Sequence, residues 1–438
     1  MASPKSVALY TLGCKLNFSE SSSLGRSFQK AGYSLADFDQ GADIFVINTC
    51  SVTDFADRKC RKFIRRARRL NPDALVVVTG CYAQLKPDEI AGFEGVDMVL
   101  GAAEKFRIVE YVQALDLGGH TVVEAGNIKQ FLPFETSWSQ GDRTRAFLKV
   151  QDGCDYKCSF CTIPQARGKS RSDSIDNVVG QAQKLGEDGI KEIVLTGVNT
   201  GDFKEPGTGR EFIDLIRELD RVESVNRFRI SSIEPNLCSN EIIDFVAGSD
   251  RFMPHFHMPL QSGNNKQLRQ MRRRYKRELY TDRVGRIRSL MPHACIGVDV
   301  IVGFPGETEE DFEETYRFIN EMDVSYLHVF TYSERENTLA AQMEGAVDMG
   351  VRKARNQRLR MLSEKKKHFF YSRFQGTTRR VLFEHSQNEG QLSGFTDNYI
   401  KIMAHAPAEL VNTFAEVEIG AMDSNGCARA ILPDGILV

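Results

Sequence analysis

Short apolar runs at residues 7–12 (VALYTL), 43–48 (DIFVIN), 74–80 (ALVVVTG) and 96–101 (VDMVLG) alternate with helix-length stretches over the first 118 residues. That rhythm belongs to βαβ units and predicts a small open α/β domain with a parallel sheet. A second alternation opens at about residue 145, with strand candidates at 146–150 (AFLKV), 192–197 (EIVLTG), 227–231 (RFRIS), 256–260 (FHMPL), 296–303 (IGVDVIVG) and 326–332 (YLHVFTY). Helical segments separate them; the one at 309–322 opens with acidic residues after a threonine, as helix N-termini favour. Six such units over some 190 residues predict a partial (β/α)6 barrel of the TIM type, because a full eight-unit barrel takes about 250 residues. From residue 376 the pattern changes to short alternating strands at 379–385, 398–404, 415–420 and 427–432, split by Gly, Asn and Asp turns, which predicts a small antiparallel β-barrel. The fold class is therefore α/β with three parts, residues 1–125, 144–370 and 376–438. The stretch 125–143, with its Gly, Ser and Gln, reads as a connector.

Composition adds compartment and partner. With 438 residues, 41% hydrophobic and 26% charged, the chain has the make-up of a folded globular protein. Its first residues lack the apolar core of a signal peptide, and no run reaches the ~18 apolar residues of a membrane helix, so a cytoplasmic protein with no membrane partner is expected. Ten cysteines in a reducing compartment read as metal ligands or catalytic groups rather than disulfides. The net charge of −2 conceals three basic runs, at 58–69, 272–277 and 351–375, which suggest a polyanion such as nucleic acid.

The cysteines carry the chemistry. Cys154, Cys158 and Cys161 stand in GCDYKCSFC directly after the barrel's first strand candidate. Three thiolates on one loop suit an iron–sulfur cluster or zinc. Structural zinc wants a fourth protein ligand, and none stands at a zinc-like spacing nearby, whereas a cubane cluster on three cysteines keeps one iron open for a small molecule. Cys14, Cys50 and Cys81 each fall just past one of the first three strand candidates. All strands of a parallel sheet end on the same edge, so these three converge where open α/β sheets bind ligands, and a second metal site is expected there. Cys60, Cys238, Cys295 and Cys427 show no such placement and read as ordinary core or surface residues.

GCDYKCSFC followed by TIPQARG resembles the cluster motif of the radical S-adenosylmethionine superfamily, including the aromatic Phe160 before the last cysteine. With Cys14, Cys50 and Cys81 ahead of it and a terminal β-barrel like the RNA-binding TRAM module behind, nearly the whole chain resembles the methylthiotransferases. The resemblance implies two [4Fe–4S] clusters, one on each cysteine triad, with S-adenosyl-L-methionine on the open iron of the Cys154 set. It implies cofactor contacts at Phe160, at Thr196, Gly197 and Asn199 after the second barrel strand, at Ser231 and Glu234 after the third, and at Gln261 and Gly303 after the fourth and fifth. Arg167 reads either as a partner for a cofactor carboxylate or substrate phosphate, or as a surface ion pair.

The opening TLGCKLN, the RISSIEP stretch and the RRRY run resemble the branch that acts on the anticodon loop of tRNA carrying N6-threonylcarbamoyladenosine at position 37. The isopentenyladenosine branch has a Gln–Met pair where this chain has Lys15 and Leu16. One cofactor molecule would methylate a sulfur at the auxiliary cluster. A second would yield the 5′-deoxyadenosyl radical that removes hydrogen from adenine carbon 2, with electrons from a flavodoxin or ferredoxin and the chain acting as a monomer. Tyr399 and Phe395 would stack on bases or serve as barrel core. Alternatives are the isopentenyladenosine tRNA, a ribosomal protein, radical chemistry without sulfur insertion, and a non-catalytic iron–sulfur scaffold that binds RNA.

Overall fold

In the first part of the chain every buried strand is flanked by helices, and the near-continuous apolar runs are what a parallel sheet covered on both faces requires. The computed structural model describes residues 5–50, 54–114, 120–128, 133–140, 144–386 and 390–432. Strands β1 (Ser6–Thr11), β2 (Ser34–Leu35), β3 (Ile44–Thr49), β4 (Leu75–Gly80), β5 (Met98–Leu100) and β6 (Val122–Glu124) form one parallel sheet in the order β2-β1-β3-β4-β5-β6. Alternate side chains leave β3 and β4 on opposite faces: Phe45, Ile47, Val76 and Val78 join one core, Val46 and Val77 the other. The four predicted strands are β1, β3, β4 and β5, while the two- and three-residue edges β2 and β6 carry too little pattern to be read.

The second part contains all six predicted barrel strands: β7 (Ala146–Lys149), then, after a two-residue ribbon of β8 (Gln151–Asp152) with β9 (Arg171–Ser172), β10 (Glu192–Thr196), β11 (Arg227–Ile230), β12 (His255–Gln261), β13 (Cys295–Val302) and β14 (Tyr326–Thr331). They make two parallel three-stranded sheets, β11-β10-β7 and β12-β13-β14, joined by the bridges Phe228↔Phe252 and Ser232↔His257. Among the described residues β14 does not pair with β7; helix Lys15–Lys30 of the first domain packs on β7 instead. Helix Glu309–Glu321 begins as its sequence predicts, with Thr308 and Asp311 forming a reciprocal capping box.

The third part is a closed barrel of β15 (Thr378–His385), β16 (Gln391–Thr396), β17 (Lys401–His405), β19 (Ala428–Ile431) and β18 (Phe414–Met422), taken around the ring. Two features differ from expectation. The serine- and glycine-bearing β16 (QLSGFT) escaped the alternation test, and β17 and β19 pair in parallel rather than antiparallel fashion.

The connector is also tighter than its composition suggests. Ser137 and Ser139 are buried, and Trp138 makes an antiparallel bridge to Leu148. Arg26 donates to the Trp138 carbonyl at 2.8 Å and lies over its indole at 4.2 Å. Residues 129–132 and 141–143 of that stretch lie outside the described residues.

Beneath this stitch, Glu20 of the first domain is fully buried among Lys105 (2.7 Å), Lys149 of β7 (3.5 Å) and Arg167 (3.0 Å). Asp152 completes the network with Arg167 at 3.0 Å and Arg171 at 2.9 Å. Arg167 is thus neither on the surface nor free for a ligand; it ties the two domains together.

The candidate cluster and substrate site

The loop that carries Cys154, Cys158 and Cys161 follows β8 and turns at Gly153, whose φ of +69° and close approach to the Lys169 carbonyl leave no room for a Cβ. The Cys154 amide donates to the Gly168 carbonyl and the Cys161 amide to the Cys158 carbonyl, curling the loop over itself. Each of the three sulfurs then receives one N–H donor. These are the Tyr156 amide on Cys154 at 3.3 Å, the Ile163 amide on Cys161 at 3.4 Å and the Arg273 guanidinium on Cys158 at 3.1 Å.

Burial pushes the thiols up, Cys154 to about 11 and Cys161 to about 12, and raises Cys158 as well. A bound cation is what turns such a set into thiolates, and the donors already aimed at the sulfurs would stabilise that charge. The residues fit an iron–sulfur cluster.

At the edge of the first domain, Cys14 follows β1 after Gly13, Cys50 follows β3, and Cys81 opens the helix Cys81–Leu85 after β4. Asn17 holds two of these loops together by donating to the Leu12 and Thr49 carbonyls at 2.7 and 2.9 Å. Gly13 lies so near that a Cβ on it would stand 2.6 Å from the Cys50 Cβ and 2.9 Å from its sulfur, at a φ of +103°. Gly13→Ala is therefore expected to lower the unfolding free energy by at least about 1 kcal/mol, from backbone strain alone, in urea titrations.

The elements that carry the two triads meet. Helix Ile163–Arg167, starting two residues after Cys161, packs on helix Cys81–Leu85, and the Arg167 guanidinium is held protonated by Glu20, Cys81, Asp152 and Cys14 against the cost of its burial. Among the described residues the other cysteines stay apart: Cys60, Cys238 and Cys295 belong to three separate cores, and Cys427 is buried in the C-terminal barrel.

Between the triads and the C-terminal barrel runs a cavity of about 630 Å³, the lumen of the partial barrel. Cys14, Thr196, Gly197 and Ser231 line its upper part. Thr196 Oγ1 and Asn199 Nδ2 are buried without a hydrogen-bond partner among the described residues, the mark of groups awaiting a polar ligand. Phe160, Cys161 and Gln261 line an adjoining cavity of about 220 Å³ that shares the Phe330 wall. A register shift between Pro259 and Gln261, with Gln261 at φ +66°, gives that side chain its place.

Two predicted residues have other partners. Glu234 makes an ion pair with the buried Arg273, and Gly303 gives its amide to Glu307 at 2.6 Å while packing against Arg352.

The lower lumen was not legible in advance. Tyr399, at φ +66°, stacks on His255 with ring centroids 3.9 Å apart and closes the cavity from below. Tyr399 and Phe395 thus stack on each other and on the radical domain rather than on the barrel's outer surface. Arg145 and Arg229 line the same end. Arg229 binds Glu192 at 2.8 Å and the carbonyls of Thr396 and Asp397 at 2.7 and 2.8 Å; Arg145 binds Glu384 at 2.6 Å. On the wall, His257 bridges Ser232 and Asp299 at 3.1 and 2.8 Å.

Parts of the second and third basic runs are spent internally. Arg273 holds Glu234 and Cys158, Arg274 lies over the Tyr156 ring at 3.8 Å, and Arg352 and Arg355 hold Glu334 and Glu307.

A three-cysteine loop after the first strand of a half-open parallel barrel defines a radical S-adenosylmethionine enzyme. A model of the Radical SAM superfamily matches residues 148–319, and one of the uncharacterized protein family UPF0004 matches residues 6–101. The chain is 42% identical over 420 residues to the threonylcarbamoyladenosine tRNA methylthiotransferase MtaB of Bacillus subtilis (strain 168), covering 94% of this chain and 93% of that one. It is 39% identical over 400 residues to the protein of the same name from Aquifex aeolicus (strain VF5), covering 90% and 96%. Among solved structures, the radical S-adenosylmethionine methyltransferase TsrM from Kitasatospora setae shares the fold, with a TM-score of 0.57 at 16% identity over 77% of each chain. The chain belongs to the MtaB-type tRNA methylthiotransferases, a family of radical S-adenosylmethionine enzymes whose membership implies an iron–sulfur cluster and S-adenosylmethionine. No helix among the described residues is long and apolar enough to cross a membrane.

Proposed function

We propose that the chain converts N6-threonylcarbamoyladenosine at tRNA position 37 to its 2-methylthio derivative, using two [4Fe–4S] clusters. The observation that carries this reading is the packing of helix Cys81–Leu85, which starts at one triad, against helix Ile163–Arg167, which follows the other. Cys154, Cys158 and Cys161 would hold the cluster that binds S-adenosylmethionine, and Cys14, Cys50 and Cys81 the second. Loaded with these groups, the site has one-electron cleavage of a sulfonium and transfer of a methylthio group available to it.

The protein's own share is placement and protection. The Tyr156 and Ile163 amides and the Arg273 guanidinium stabilise charge on the ligand sulfurs. Thr196 Oγ1 and Asn199 Nδ2 have free valences with which they would bind polar groups of the cofactor, and Phe160 and Gln261, which line the adjoining cavity, would contact it there. Tyr399 shuts the lumen below, keeping bulk water from a radical reaction. The tRNA approaches from outside, where helix Asp54–Leu70 exposes Lys62, Arg65 and Arg69. The C-terminal barrel is a second RNA-binding surface, a flavodoxin or ferredoxin supplies electrons, and the chain works as a monomer in the cytoplasm.

Two measurements test the proposal. In tRNA from a deletion strain, mass spectrometry is expected to show loss of 2-methylthio-N6-threonylcarbamoyladenosine; loss of the isopentenyl analogue instead would overturn the substrate. After anaerobic reconstitution, iron per chain is expected to be about eight, falling to about four in the Cys14→Ala, Cys50→Ala, Cys81→Ala triple variant. About four in both would leave a single cluster and remove the sulfur-insertion reading.

A further inference from the structure

We infer that Lys15 is the residue that selects the substrate, by receiving a carboxylate at the end of the adenine N6 substituent; the inference rests on the substrate reading above. Lys15 follows Cys14 directly, is half-buried, and lines the 630 Å³ lumen. It makes no hydrogen bond or ion pair with any described residue. Every neighbouring cation is already matched. Arg229 spends its guanidinium on Glu192 and two carbonyls, and Arg145 is bound by Glu384 and lies 3.7 Å from Glu192. No carboxylate is among the described residues that line the lumen, and Asp299, on the adjoining 220 Å³ cavity, is held by His257 at 2.8 Å. Lys15 is therefore a cation left over on the wall of the lumen, a state that costs free energy until an anion arrives.

Position along the lumen says what the anion is attached to. The backbone of Lys15 sits beside Cys14, and its side chain lines the lumen that Arg145, Arg229 and Tyr399 bound at the other end. The side chain thus runs from the cysteine edge toward the closed end. An adenine whose N6 arm is anchored on that ammonium keeps its ring on the side of the two triads, where carbon 2 must be for sulfur insertion. A hydrocarbon arm in the same place would leave Lys15 buried and unpaired, so the lumen discriminates against it as well as for the acid.

The test uses reconstituted enzyme and two synthetic anticodon stem–loop RNAs, one bearing N6-threonylcarbamoyladenosine beside the anticodon and the other its methyl ester. Fluorescence anisotropy is expected to show the wild type preferring the acid by about 10- to 100-fold. Lys15→Met is expected to bind both at the ester's level, and Lys15→Arg to recover part of the preference. Iron content and melting temperature identify a variant that has lost its fold, in which case Lys15→Gln replaces the methionine. A neutral variant that keeps the wild-type preference, or a wild type that binds both RNAs alike, would overturn the inference. Turnover is a separate arm: if the wild type yields no methylthio product from the acid RNA, the substrate reading fails whatever the Lys15 variants do.

Discussion

Replacing Glu20 by alanine is expected to cost about 3–5 kcal/mol of folding free energy, the range for breaking one member of a buried ion network. Glu20 has no solvent exposure and faces Lys105, Lys149 and Arg167 at once, so its removal leaves the buried Lys105 without its carboxylate and Lys149 and Arg167 sharing Asp152 alone. Its carboxyl is held down to about 2, the three cations outweighing a burial cost that alone would raise it. The shift sets a pH dependence with a definite sign. The folded value lies below the ordinary value of 4.5, so the stabilisation is complete above pH 4.5 and is lost as pH falls toward 2. Urea midpoints between pH 7 and pH 2 are expected to fall through that window in the wild type and to fall less in Glu20→Gln. Equal slopes in the two proteins would show that the network is not linked to folding through this group. The effect reaches function as well, because Glu20 and Lys105 belong to the first domain whereas Lys149, Asp152 and Arg167 belong to the barrel.

The second large effect is expected at the Cys154 loop. Cys158→Ser should abolish reductive cleavage of S-adenosylmethionine by more than about 100-fold, beyond what loss of a mere orienting partner of a metal ligand costs. Three sulfurs are the minimum that holds a cubane cluster with one iron open, and the serine hydroxyl is a poor iron ligand beside a thiolate. The same substitution should leave the fold standing, since Cys158 belongs to none of the buried cores and sits on a loop pinned by its backbone. Circular dichroism and 5′-deoxyadenosine release, measured on one preparation, check both halves. Cleavage at the wild-type rate would show that this triad does not hold the reactive cluster.

Much of this architecture was legible in the chain. The six barrel strands are short apolar-rich runs spaced by helix-length segments, and the cysteines announce themselves by following strand ends. What escaped was either too short or decided from far away. β2 and β6 have two and three residues, and β16 hides its alternation behind Ser393 and Gly394. Which basic residues stay available for a polyanion was not legible, because the acids that absorb some of them come from distant loops: Arg273 meets Glu234, and Arg355 meets Glu307. Arg167 could not be assigned from its neighbours since its partners Asn17 and Glu20 stand about 150 positions earlier, on another domain. Lys15 was visible as a departure from one branch's pattern, yet only the lumen shows that it stands without a counter-charge.

Tyr399 has a consequence for how this protein can be taken apart. Arg227 and Arg229 of β11 hold the main-chain carbonyls of Arg380, Thr396 and Asp397, so the C-terminal barrel is bolted to the underside of the radical domain. It is a stopper for the lumen. Trimming it away would not yield a minimal catalyst but a vessel open at both ends, its lumen exposed to solvent. Swapping this module between relatives would transplant part of the reaction chamber along with any preference for RNA.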